Sequence, residues 1–203
     1  MFNTFAMSDK FSNFAYMKID ITLRVTPKMV TDAQNNLKKV FTGHLGTHFD
    51  VMNKVFPLEY TELDGVLFDI RDKGLEEVTT NDVNLDLVEE GMFVVFHSGF
   101  IESEGYGGAR YFREHPAVSM DLIRALLDKR VALIGIDFSG LRLGAEHTPT
   151  DQLCADHGTF VIENLCNLAQ VLQGADYAKA HFHTYPMNFE GMTGLPCRVV
   201  AEF

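Results

Sequence analysis

Three short apolar runs constrain this chain more than anything else in it. They are Met92-Phe93-Val94-Val95-Phe96-His97, Val131-Ala132-Leu133-Ile134-Gly135-Ile136-Asp137 and Thr159-Phe160-Val161-Ile162-Glu163-Asn164-Leu165. Unbroken runs of β-branched and aromatic residues at this length read as buried strands. Between the first two runs, Leu122, Ile123, Leu126 and Leu127 have helical spacing, and Lys129-Arg130 suits the negative end of a helix dipole. Between the second and third, a helix is expected to start near Thr150-Asp151 and to stop at Gly158. Strands alternating with helices predict an α/β domain. Further strands are expected where residues 17–25 alternate, at Gly65–Ile70, and in the tail at 181–185 and 197–203. Residues 28–40 have weaker helical spacing, and the acidic stretch 72–90 reads as a solvated face with a short helix around Leu85–Val88. Residues 1–16 show no clean period, which makes them an N-terminal extension to a domain spanning 17–203.

The 203 residues suit one domain with a full core. A net charge of -11 argues against nucleic acid or an anionic membrane as partner, since both call for a basic face. No apolar run approaches the roughly 18 residues that span a bilayer. Polar residues interrupt the N-terminus where a signal peptide needs an apolar core. Cys154, Cys166 and Cys197 are an odd number without a Cys-x-x-Cys pair, as expected for structural thiols in a reduced, cytoplasmic setting.

The chemistry concentrates at Gly43-His44-Leu45-Gly46-Thr47-His48-Phe49-Asp50. Imidazole nitrogen plus carboxylate oxygen is a donor set that zinc, manganese or iron(II) accepts. On a helix, His44 and His48 would share a face and Asp50 would point away. A turn through Gly46-Thr47 into an extended segment does better: His48 and Asp50, two apart, then lie on one side of a strand. The turn folds His44 back onto them, giving three convergent donors. Glu163 stands out separately, because a carboxylate on an apolar strand is costly unless paired or bound to a cation.

The run His44-Leu45-Gly46-Thr47-His48-Phe49-Asp50 resembles the signature of the cyclase-like, kynurenine formamidase family of metal-dependent hydrolases. Glu163-Asn164-Leu165, Gly135-Ile136-Asp137, His115-Pro116 and Gly194-Leu195-Pro196-Cys197-Arg198 match it too, so the resemblance runs in order from about 17 to 203. It implies a swivelling β/β/α domain and a divalent metal, zinc or manganese with iron as a further option. His44, His48, Asp50 and Glu163 would be ligands, acting in hydrolysis of an amide, formamide or cyclic amide. It also implies a small-molecule substrate and assembly as a homodimer or homotetramer.

Two departures qualify this expectation. Formamidases of the family carry a catalytic acid/base His four residues after the metal-binding Asp, where this chain has Lys54. A lysine there would replace the acid/base after a lowering of its pKa, hold a substrate carboxylate, or stabilise an oxyanion. The family's further metal-binding His, about twelve residues before the Glu, is replaced by Asp151, while His147 lies four residues earlier; either completes the shell. A metal-binding module without hydrolysis, or a metal-dependent isomerase or lyase, are the competing expectations. His97 is expected to be a buried, hydrogen-bonded core histidine, and His181 and His183 are given no role.

Overall fold

The computed structural model describes residues 17–36, 39 and 42–203. The expected extension at 1–16, and part of the expected helix over 28–40, lie outside them. In chain order the elements are β1 (Lys18–Asp20), α1 (Pro27–Ala33), β2 (His48–Asp50), β3 (Glu62–Asp69), β4 (Phe93–His97), α2 (Phe100–Glu104), α3 (Met120–Asp128) and β5 (Leu133–Ile136). There follow α4 (His147–Asp156), β6 (Phe160–Glu163), α5 (Leu168–Leu172), β7 (Tyr177–Pro186) and β8 (Gly194–Glu202).

Strands β3, β4, β5 and β6 run parallel and side by side, and the three apolar runs are three of them. Their sequences do not alternate because alternate residues enter two different cores. Val94 and Phe96 pack with Val66, Ile134 and the α3 residues Leu122, Ile123 and Leu126. Phe93 and Val95 pack on the other face with Leu67, Leu133, Phe160, Ile162 and Phe182. Both faces are dry, so both parities are apolar.

The sheet closes on itself. β7 pairs antiparallel with β3 on one side and β8 on the other, and β2 lies antiparallel between β6 and β8. One edge of β8 is shared: residues 194–196 pair with β2 and 200–202 with β1. Inside the closure the Phe93 and Phe182 rings meet edge to face, with centroids 4.9 Å apart. They fit because β3 and β5 present glycine beside them. A Cβ on Gly65 would lie 2.2 Å from the Phe93 carbonyl oxygen, and one on Gly135 would lie 2.7 Å from the Phe93 ring.

Three expectations are corrected here. The first strand stops at Asp20, because Asp20 Oδ1 accepts the Thr22 amide and Thr22 bridges to Leu165 instead. The acidic stretch forms only a 3-10 turn at Leu85–Leu87, started by Asn84 accepting the Asp86 amide. Helix α4 begins at His147, earlier than its sequence suggests. Glu146 makes no side-chain cap, and Pro149 falls in the first turn, where its missing N–H loses no helical hydrogen bond. Among the described residues no helix is long and apolar enough to cross a membrane.

His97 is buried at the end of β4, as expected, but it lacks the hydrogen bond expected at Nδ1. Asp69 Oδ1 and Asp137 Oδ2 each lie 4.0 Å from a ring nitrogen, beyond hydrogen-bonding distance, and Nδ1 has no partner. Burial lowers its pKa to about 4, with Asp69 opposing and Arg71 adding to the fall. The unfolded chain then binds more protons than the folded one between the ordinary histidine pKa and about 4, so stability falls as pH drops through that window. Denaturant unfolding from about pH 7 to about pH 5 is expected to show a loss smaller in His97→Gln than in the wild type by on the order of 1 kcal/mol. An equal loss in both proteins rules this out.

Candidate metal centre

β2 brings the motif to the helix-covered face of the sheet. His48 pairs directly across from Glu163 and Asp50 across from Val161, so His48, Asp50 and Glu163 share that face while Phe49 enters the closed interior. The preceding turn returns His44 to them, as expected. Gly43 and Gly46 both have positive φ, at 81° and 73°, and a Cβ on Gly43 would come within 2.0 Å of the Gly194 carbonyl oxygen. That close approach seats His44 against β8, where its Nε2 meets Thr193 Oγ1 at 2.9 Å. Its Nδ1 lies 3.0 Å from both Asp50 Oδ1 and His48 Nε2. His48 Nδ1 lies 2.9 Å from the Gly46 carbonyl, to which it donates, so Nε2 is the nitrogen aimed at the cluster.

The early start of α4 supplies the rest. His147 and Asp151 are one turn apart and share a helix face. His147 Nε2 lies 2.9 Å from Glu163 Oε1 and 3.1 Å from Asp151 Oδ2. His147 and Asp151, the two alternatives from the sequence, therefore both lie at the cluster. Gly140 makes room for the incoming ring: a Cβ there would lie 2.9 Å from His147 Cε1, at a φ of +121°.

Two donor sets result, His44 with His48 and Asp50, and Asp50 with His147, Asp151 and Glu163. In each, the donor atoms lie within 4.8 Å of one another, and Asp50 belongs to both. Three carboxylates this deep require positive charge. Burial pulls the His48 imidazole down, but Asp50 and Glu163 more than reverse this and hold it at about 9. Burial works against His147 as well, which Asp151 and Glu163 raise to about 11. Burial pushes the Asp151 carboxyl up, aided by the negative Asp50. Asp50 Oδ2 and Asp151 Oδ1 are buried without any hydrogen-bond partner. Such orphaned oxygens are costly unless a cation meets them, so these residues fit a divalent metal.

A cavity of about 340 Å³ opens beside the cluster, lined by His44, His48, His147 and Glu163 together with Lys39, Tyr106, Phe112 and Ser139. Lys39 Nζ lies 3.8 Å from the Phe112 ring centre and 5.3 Å from that of Tyr106. The Tyr106 oxygen accepts the Gly46 amide, which leaves its own proton free to be donated. Tyr106 lies in the glycine-rich run Gly105-Tyr106-Gly107-Gly108, a composition typical of loops that border pockets, whereas nothing in the sequence marks Lys39. Lys54 is not brought to the cluster. Its Nζ pairs with Asp156 at 2.6 Å on the outer end of α4.

A family model described as "Putative cyclase" matches residues 19–141, which include His44, His48 and Asp50 but stop before α4. No curated relative matches the chain in sequence. Among solved structures, a potential metal-dependent hydrolase with cyclase activity superposes with a TM-score of 0.72 at 23% identity, covering 93% of this chain and 98% of that one. A predicted metal-dependent hydrolase from Bacillus stearothermophilus gives 0.69 at 21% identity, with 93% and 98% covered. Isatin hydrolase A from Labrenzia aggregata gives 0.69 at 18% identity, with 92% and 93% covered. These likenesses show a shared fold. With more than half its length matched by the family model, the chain belongs to the cyclase family.

Proposed function

We propose that this chain is a metal-dependent hydrolase that cleaves the carbon–nitrogen bond of an amide, formamide or cyclic amide, on a swivelling β/β/α domain. The observation that carries this is the convergence of His44, His48, Asp50, His147, Asp151 and Glu163, with two orphaned carboxylate oxygens, beside a cavity. The named activities of the structural neighbours support the same class. Zinc or manganese suits the mixed nitrogen and oxygen donors, with iron(II) a third option. A divalent ion bound there supplies Lewis acidity, lowering the pKa of water toward neutrality and polarising a carbonyl.

The chain's own groups do the rest. Hydrolysis takes a proton from water and delivers one to the departing nitrogen. Outside the proposed ligand set, the dissociable groups lining the cavity among the described residues are Lys39, Tyr106 and Ser139. Lys39, rather than Lys54, faces the substrate and orients an electron-rich group in it, and Tyr106 donates its free proton into the cavity. The proposal includes a small-molecule substrate, a cytoplasmic setting in which the three free cysteines stay reduced, and a homodimer or homotetramer. One observation favours a metal-binding module without hydrolysis: Lys54, at the family's acid/base position, is engaged by Asp156.

Metal content by elemental analysis, with a screen of amides and lactams, separates the two. Stoichiometric zinc, manganese or iron that His48→Ala and Glu163→Ala both lose, accompanied by turnover, is the expected result. Metal without turnover favours the module, and no metal after reconstitution with each ion removes both readings. Gly140→Ala is expected to displace the His147 ring and weaken metal binding at least about tenfold, read by competition with a chelator. Unchanged affinity would mean that His147 is not a ligand.

A further inference from the structure

A second set of histidines and carboxylates lies where the sheet closes. His181 and His183, two apart on β7, share its outer face, while Ala180, Phe182 and Thr184 between and beside them are buried. Across β3, Asp64 stands opposite His181 and Glu62 opposite His183; across β8, Glu202 stands opposite His181. The two imidazole centres are 5.1 Å apart. His183 Nε2 lies 3.0 Å from Glu202 Oε2 and its Nδ1 lies 3.8 Å from Glu62 Oε1, while His181 Nδ1 lies 2.9 Å from Asp64 Oδ1. Among the described residues Lys18 pairs with this group, on Glu202 at 2.7 Å, one cation against three carboxylates. None of these residues lines the cavity beside His48 and Glu163.

We propose that Glu62, His181 and His183 form a second cation site, selective for a borderline transition ion such as zinc. One donor atom from each already lies within 4.8 Å of the others. Zinc at about 2.0–2.1 Å from each ligand needs donors roughly 3.4 Å apart, which small rotations of these partly exposed side chains supply. Two imidazoles disfavour magnesium and calcium, which take oxygen ligands. An ion held here ties β7 to β3, with Glu202 of β8 within reach of His183. It acts as a clamp on the closure of the sheet, independent of hydrolysis.

The test titrates metal-free full-length protein with zinc in equilibrium dialysis, counting bound zinc by elemental analysis and following the melting temperature. His181→Asn/His183→Asn is expected to bind one zinc fewer than the wild type, additively with any loss in Glu163→Ala. Glu62→Gln is expected to weaken that zinc at least about tenfold. In the Glu163→Ala protein, zinc is expected to raise the melting temperature unless both histidines are replaced. Equal zinc counts in the wild type and the double-asparagine protein, or unaltered affinity in Glu62→Gln, overturns the proposal. Zinc undiminished in Glu163→Ala would count against the first site alone.

Discussion

Asp50→Asn is expected to abolish metal binding at the centre around His48 and Glu163, and to lower hydrolysis by on the order of a thousandfold or more. Asp50 is the one residue common to both donor sets, and its Oδ2 is one of the two orphaned buried oxygens. An amide of the same shape keeps the strand in place but removes the charge that holds the imidazoles around it. Elemental analysis and turnover of whichever amide the screen identifies would read the effect, with circular dichroism to confirm an intact fold. A variant that keeps its metal in full would remove Asp50 from the centre of the site.

Gly65→Val is expected to destabilise the fold by about 3 kcal/mol, measured by denaturant unfolding. The first carbon of the new side chain meets the Phe93 carbonyl oxygen at 2.2 Å and the Phe182 ring at 2.9 Å. The first contact is with backbone inside a closed sheet, so no rotamer change relieves it. A loss below about 0.5 kcal/mol would show that β3 and β4 are free to move apart, contrary to a packed interior.

The strands carrying the site were legible because burial on both faces leaves an unmistakable residue pattern, as at Phe93–Phe96 and Leu133–Ile136. The turn and strand around His44, His48 and Asp50 were legible from spacing, since donors two apart converge only on an extended backbone. The start of α4 was not. Helix beginnings are written in capping side chains, and Glu146 caps nothing, so the sequence pointed to a start near Thr150-Asp151, one turn too late. The place of Lys54 was equally hidden, because its partner Asp156 is remote in sequence and only the packing of α4 brings them together. Lys39 reaches the cavity across aromatic rings, a contact that no local pattern encodes. The closure of β7 onto β8 depends on pairings between distant segments, and strand sequences name no neighbours.

β2 is only three residues long, held between β6 and β8, with Phe49 in the apolar interior and His48 and Asp50 on the opposite side. A slip of one residue in its pairing would drive both polar side chains among Phe160, Ile162 and Leu195 and turn Phe49 out toward Glu163. Misplacing this short strand is thus heavily penalised. A chain that has closed its sheet correctly has, by the same act, brought His48, Asp50 and Glu163 together, so a well-folded form with these three scattered should be almost unpopulated.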